Sequence, residues 1–171
     1  MKNQKGFSLI ELLIVVVILG ILTAIAIPNL LAARRSSNEG SAISIMRTLH
    51  SAQVTYQSTS PDRNYAGETT ATNAALAALS NSGLIDSVLG TGNKSGYIFV
   101  GGQVAATTGA SSAQPQFWFS ANPNVSGGVM QTGIRRYGIA TEGVIKSDTE
   151  SLGTVFDNVA AVNAANAVTA N

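Results

Sequence analysis

The chain opens with a long apolar run. Residues 7–27, here called the apolar segment, contain one charged side chain, and Pro28 follows them directly. At roughly 1.5 Å per residue, a helix of this length is about 30 Å long, which matches the hydrocarbon core of a bilayer. The pattern therefore predicts a membrane-spanning helix over residues 7–27.

An ordinary secretory signal peptide is the alternative interpretation of this segment. Such a signal has an apolar stretch of about 7–15 residues that ends at a small-x-small cleavage site. Residues 23–26, Thr-Ala-Ile-Ala, fit that pattern. The apolar run is longer than a signal requires, however, and Glu11 interrupts it near its start. These two features favour the spanning helix.

Past Pro28 the pattern becomes that of an amphipathic helix, predicted over residues 28–58. Its apolar positions recur at three- and four-residue spacing, which marks one buried face. They are Ala42, Ile45, Met46, Leu49, Ala52 and Tyr56. Pro61 forces the residue before it out of helical geometry, so the helix is expected to end there. The i,i+4 pair Arg35–Glu39 is expected to lie in solvent.

Residues 59–157 have the pattern of a small α+β head. Asn73 is predicted to cap a short helix that ends near Gly83. Residues 116–120, with aromatic side chains on both faces, are expected at the centre of a sheet. The other strand candidates are 97–100, which residues 103–106 are expected to extend past Gly101 and Gly102, and a hairpin formed by 135–140 and 144–146.

The fold class that follows is α+β, with a long amino-terminal helix packed on a small antiparallel sheet of three or four strands. The last residues, 158–171, are an Ala- and Asn-rich tail without charge. For this tail the composition leaves two alternatives open, a frayed helix or disorder.

Composition excludes several classes of function. Charged residues make up 11% of the chain, far below the roughly 25% of an ordinary soluble domain. Ten Lys and Arg side chains nearly balance nine Asp and Glu, and no basic stripe stands out, so no nucleic-acid partner is expected. The sequence has no cysteine, which excludes disulfides and thiolate metal sites.

No motif of catalytic chemistry is convincing. The glycine-rich residues 90–96 lack the glycine that a phosphate loop has before its lysine, and a turn before the next strand is the simpler interpretation. His50 is the single histidine, expected on the polar side of the helix without a catalytic or metal partner. The sequence therefore predicts no enzyme activity, no metal and no cofactor.

Residues 6–11 read Gly-Phe-Ser-Leu-Ile-Glu. This string resembles the prepilin signature of type IV pilins and of the pseudopilins of type II secretion. The resemblance implies the pilin fold and a leader peptide over residues 1–6. It also implies cleavage by a membrane-embedded prepilin peptidase between Gly6 and Phe7, N-methylation of Phe7, and retention of the apolar segment in the mature chain.

Glu11 places a carboxylate in the apolar segment, at a cost of about 2.5–3.5 kcal/mol on insertion scales. The residues alone allow three roles: pairing with the Phe7 amine that cleavage creates, pairing with the same amine of an adjacent subunit, or contact with lipid headgroups. The helix dipole favours a negative charge at this position. The resemblance implies the intersubunit pairing, which sets axial register during assembly.

Gly20 and Pro28 are two irregular positions of the helix. Proline lacks a backbone donor, and glycine costs near 1 kcal/mol relative to alanine. By themselves they predict a mild kink. The resemblance implies that helical bonding between Gly20 and Pro28 loosens in the assembled filament.

The function implied by the resemblance is that of a structural subunit of a type IV pilus. The subunit would sit in the inner membrane as a single-pass protein in contact with lipid, with its leader in the cytoplasm. An inner-membrane assembly platform would then polymerise it with identical subunits into an extracellular filament. The alternatives are a pseudopilin of a type II secretion system and a minor tip pilin that acts as an adhesion module. The sequence lacks a calcium-loop pattern near its carboxyl end, which favours a pilin over a pseudopilin.

Overall fold

The structure is a computed structural model that describes residues 6–107, 112–149 and 152–168. Its helices are α1 (Leu9–Thr59), α2 (Ala74–Asn81), α3 (Ser87–Gly90) and α4 (Val159–Ala164). Its strands are β1 (Asn93–Lys94), β2 (Tyr97–Val104), β3 (Gln116–Pro123), β4 (Arg136–Ala140), β5 (Ile145–Asp148) and β6 (Asn166–Ala167). The chain divides into two compact units, one that ends at Arg34 and one that begins at Arg35.

The first unit is the amino-terminal part of α1. Every large apolar side chain from Leu9 to Leu30 is exposed in it. Such a helix is apolar all round, and it has no buried face in the described chain.

The second unit is built on the remainder of α1. The predicted apolar face is confirmed, since Ala42, Ile45, Met46, Leu49 and Ala52 are buried and Tyr56 is half-buried. These side chains join the aromatic rings of the sheet in one core. The helix ends at Thr59, two residues before Pro61, as the proline predicted.

The sheet has six strands in sequence order, each antiparallel to the next. The prediction of three or four strands was wrong because β1 and β6 contain only two residues each, too few for a recognisable alternation. β3 lies between β2 and β4, as predicted, and is buried on both faces. Phe117 and Phe119 of β3 belong to the core shared with α1, whereas Trp118 belongs to a second cluster.

The strand predicted at 97–100, with its extension past the two glycines, is β2, which ends at Val104. It runs through Gly101 and Gly102 because the central strand needs that space. A Cβ at Gly101 would lie 2.2 Å from Phe119 Cδ1, and one at Gly102 would lie 2.5 Å from Trp118 Cζ2. The glycines admit the rings of β3 and do not interrupt the ladder.

In its described residues, 158–168, the carboxyl-terminal tail forms a short helix, α4, and a strand, β6, so neither a frayed helix nor disorder describes that part. Asn158 Oδ1 accepts a hydrogen bond of 2.7 Å from Ala161 N and caps α4. Val162 of α4 is fully buried against Trp118, Ala140 and Phe156. The tail thus covers the second face of the sheet, and β6 then pairs with β5. Residues 169–171 lie outside the described chain.

Three local predictions have mixed outcomes. Residues Ser95 and Gly96, with φ of 52° and 74°, form the turn between β1 and β2, so the glycine-rich stretch ends in a turn before the next strand, as expected. Asn73 occupies the cap position of α2, as predicted, but its side chain makes no capping bond. The hydroxyl of Thr72 accepts from Ala74 N. His50 does not lie on a polar side: its ring centroid is 5.5 Å from that of Phe117.

Candidate assembly site

The predicted cleavage bond joins Gly6 to Phe7, and both residues are exposed. The helix begins at Leu9, so this peptide bond lies outside helical hydrogen bonding. Phe7 is 78% exposed, and a Cβ at Gly6 would meet no atom within 4 Å. The bond is therefore sterically open on the described chain, and the cut itself stays a prediction.

Glu11 lies in the first turn of α1 and reaches back over it. Its Oε2 accepts a hydrogen bond of 3.2 Å from Ser8 N. This contact satisfies one of the amide donors that a helix start leaves unpaired, in the manner of a capping box. Oε1 of Glu11 has no hydrogen bond to any described residue, so one carboxylate oxygen is available to a second donor.

α1 is helical throughout the stretch from Gly20 to Pro28. Two features weaken its backbone bonding there. Pro28 has no N–H to offer the carbonyl of Ala24. The hydroxyl of Thr23 donates to the carbonyls of Leu19 and Gly20 at 2.9 Å and 3.0 Å, a bond that slightly destabilises helices. The loosening predicted for the filament stays a prediction.

Sequence reasoning did not include Thr23 among the pliable positions. A hydroxyl inside an apolar helix is itself the signal, since no solvent is available and the carbonyl three or four residues earlier is the nearest acceptor.

α1 is the one helix in the described residues that is long and apolar enough to cross a membrane.

In the second unit, α1 holds the twelve-residue loop between β3 and β4, residues 124–135. Asn38 Nδ2 donates to Thr132 O at 3.0 Å. Glu39 accepts from Ile134 N at 2.8 Å and from the Tyr137 hydroxyl at 3.2 Å. The prediction of a solvated pair between Arg35 and Glu39 was wrong, because the carboxylate turns towards the sheet.

Two buried tyrosines surround this carboxylate. Burial raises the pKa of Tyr137, and the negative charge of Glu39 raises it further. The pKa of Tyr97 is raised for the same two reasons. The Tyr97 hydroxyl donates to Arg135 O at 2.9 Å. Both phenols thus remain neutral donors that fix the end of the loop.

The described residues contain no group of three or more His, Asp or Glu side chains that could hold a metal ion. Asp148, the last residue of β5, forms an ion pair of 2.6 Å with Arg136. The side chain of Arg136 also stacks 4.0 Å above the ring of Phe156. Arg136 therefore ties β4 to β5 and to the segment just before the tail.

Comparison with known proteins identifies the amino-terminal segment. Residues 1–27 match the family described as the prokaryotic N-terminal methylation motif. The chain is 64% identical over 39 residues to the type IV wide pilus major component PilA4 of Thermus thermophilus, covering 23% of this chain and 30% of that protein. It is 46% identical over 54 residues to the type IV major pilin protein PilA of Myxococcus xanthus, covering 32% and 24%.

The chain is also 30% identical over 96 residues to type II secretion system core protein G of Escherichia coli, covering 56% of this chain and 62% of that protein. It spans less than two thirds of the length of each of these relatives. No solved structure matches the chain significantly. The resemblance to type IV pilins and type II secretion pseudopilins is confirmed for the amino-terminal segment.

Proposed function

We propose that this chain is the structural subunit of a type IV pilus, polymerised through the apolar segment. The observation that carries the proposal is the exposure of every large apolar side chain from Leu9 to Leu30, in a segment similar to a pilus major component. Burying one such side chain is worth about 1.5–3 kcal/mol. The segment therefore needs lipid around it before assembly and other copies of itself afterwards.

The chain is made, on this proposal, as a single-pass inner-membrane precursor with residues 1–6 in the cytoplasm. Prepilin peptidase cuts between Gly6 and Phe7 and methylates the new amine of Phe7. The open geometry around Gly6 and the start of the helix at Leu9 support this position, because a protease needs a bond free of helical structure. Residues 7–27 then form the filament core, 28–58 connect it to the head, and 59–157 form the head with 158–171 attached.

Glu11 is the register contact in this proposal. Oε2 accepts from Ser8 N, and Oε1, which bonds to no described residue, can accept from the methylated amine of a neighbouring subunit's first residue. A carboxylate in hydrocarbon is costly unless it is paired. A helix that enters the filament therefore stops where its neighbour's amine meets Glu11.

The stretch from Gly20 to Pro28 is proposed to lengthen as subunits pack. Its bonding is already weakened by the missing donor of Pro28 and by the Thr23 hydroxyl. Loosening here lets the head and the core segment each find their best contacts. The inner-membrane assembly platform supplies the work of extraction.

A second candidate, a pseudopilin of a type II secretion system, is favoured by one observation. The similarity to core protein G extends over 96 residues, more than the length of α1. In that case the same processing and the same Glu11 contact would serve a short secretion filament. The two candidate functions differ in the filament that the cell makes, a long surface pilus or a short secretion filament.

The test is deletion of this chain from the organism that encodes it, followed by electron microscopy of sheared surface material. The pilus proposal expects long filaments composed of this chain, lost on deletion and restored by the wild-type gene. Loss of protein secretion with no filament on wild-type cells would support the secretion candidate and overturn the pilus proposal.

The role of Glu11 is tested separately with Glu11→Ala. Processing is expected to continue, because the cleavage bond is four residues away, while filament yield falls to background. Glu68→Gln is the matched control, since it removes one exposed carboxylate of the head. Normal filament yield from Glu11→Ala would contradict the register role.

A further inference from the structure

The loop between β3 and β4 (residues 124–135) exposes apolar side chains that nothing in the described chain covers. Val129 is 72% exposed and Met130 is 68% exposed, the two highest values for large apolar residues outside the first unit. Val125 and Ile134 are also exposed. Residues 124–134 carry no charge. We call residues 127–130, Gly-Gly-Val-Met, the loop tip.

The loop is held firmly below its tip. Thr132 N donates to Val125 O at 3.0 Å, and Gln131 Nε2 donates to Ser126 O at 3.1 Å. A Cβ at Gly133 would lie 2.0 Å from the Tyr97 hydroxyl, so the chain passes directly over that ring. Glu39 fixes the next residue, Ile134. The tip is therefore presented on a rigid base, and a contact with it costs little ordering entropy.

The size of the exposed apolar patch indicates what kind of partner can bind it. The apolar side chains of one loop offer a few hundred Å², the size of the largest patches on ordinary monomers. A stable independent complex buries about 800 Å² on each partner. The loop alone is too small for a separate protein to bind tightly. It suffices for a second copy that is already tethered by α1, because tethering raises the effective concentration of the contact.

A membrane surface fits the loop less well. Segments that rest at the lipid headgroups are anchored by Trp, Tyr, Lys or Arg, and residues 124–134 contain none of these. The last residue of the loop, Arg135, lies at its base, where its carbonyl accepts from the Tyr97 hydroxyl, and not at the tip. We propose, building on the filament function above, that the loop tip is a head-to-neighbour contact that packs against an apolar surface of a second copy of this chain.

A site-specific probe tests the contact directly. The sequence has no cysteine, so Met130→Cys provides one attachment point for a benzophenone maleimide on intact filaments. Illumination is expected to give a product of twice the subunit mass from filaments, at least fivefold more than Val88→Cys gives under the same labelling. Val88 is a matched control, being a 57% exposed apolar residue on α3.

A crosslink to lipid alone, a crosslink to a different protein, or a yield equal to that of Val88→Cys would overturn the proposal. The doublet Val129→Ser, Met130→Ser gives a second measurement, since it is exposed and should leave subunit levels in the membrane unchanged. Its filaments are expected to dissociate in mild detergent at least fivefold faster than those of Val88→Ser, and equal rates would contradict the contact. Both measurements start from filaments of the wild-type chain. If the wild type forms no filament, the proposed function fails, and this result is distinct from a failure of the loop contact.

Discussion

Replacement of Gln53 by leucine tests how the head is attached to α1. Gln53 is fully buried, and its amide makes two bonds to the backbone of one residue, Ala66. Nε2 donates to Ala66 O at 2.9 Å, and Oε1 accepts from Ala66 N at 2.8 Å. Ala66 is itself only 1% exposed, so no water replaces the lost amide.

The cost of Gln53→Leu follows from these two bonds. Each buried group left without a partner costs about 1–3 kcal/mol, and the added apolar burial of leucine offsets part of that, which leaves about 3 kcal/mol. For a chain of this size, 1 kcal/mol corresponds to about 2–4 °C in Tm, so a decrease of about 6–12 °C is expected.

The assay is thermal unfolding of the full chain in detergent, followed by the fluorescence of Trp118. This residue is the single tryptophan and is 1% exposed, so its emission reports the head and not the apolar segment. Thr48→Leu is the matched control, because it places leucine on the exposed side of the same helix. The control is expected to change the free energy of unfolding by less than about 0.5 kcal/mol.

Gln53→Glu sharpens the test. An ionised glutamate keeps the acceptor for Ala66 N but turns an oxygen towards Ala66 O. Burial raises the pKa of such a carboxyl group, and its protonated form can donate to Ala66 O. The variant is therefore expected to regain part of its Tm as the pH falls towards 5. A Tm for Gln53→Leu within about 2 °C of wild type would refute the reasoning.

Three further predictions use the same fluorescence assay. Gly101→Ala is expected to lower stability by at least about 1–3 kcal/mol, because the added methyl group would clash with Phe119. Gly40→Ala, at an open helical position, is the control and is expected to raise stability by about 1 kcal/mol. Equal effects of the two substitutions would contradict the close approach of Gly101 to Phe119. Because the pKa of Tyr137 is raised on folding, its contribution is complete below about pH 10 and is lost as the pH rises further. Tyr137→Phe should therefore unfold at a higher pH than the wild type, and an unchanged alkaline midpoint would count against the assignment. Arg136→Lys is expected to lower the free energy of unfolding by about 1–2 kcal/mol, because lysine cannot make the two-nitrogen contact with Asp148 or stack on the ring of Phe156. An unchanged free energy of unfolding would show that Arg136 does not stabilise the sheet in this way.

The parts of the fold that the sequence predicted are those with a repeating pattern. The apolar face of α1 recurs with helical spacing over four turns, and β3 is a run of aromatic residues, so both were placed correctly. The turn at Ser95–Gly96 followed from its glycine. Each of these signals is local, and each arises from residues close together in the chain.

The parts that were missed depend on distant partners. Glu39 was assigned to Arg35 four residues away, yet it bonds Ile134, 95 residues later in the chain. His50 was placed on a polar face, yet it packs on Phe117. The tail lacks charge and periodicity, and only the presence of Trp118 on the opposite sheet face explains why α4 packs there. Spacing cannot reveal such contacts before the topology is known.

The most direct measurement of the central claim is the intact mass and amino-terminal sequence of the chain recovered from surface filaments. The account predicts a chain that begins at Phe7, carries one added methyl group on its amine, and retains the whole apolar segment. A filament subunit that begins at Met1, or one that begins after Ala26 without the apolar segment, would contradict it.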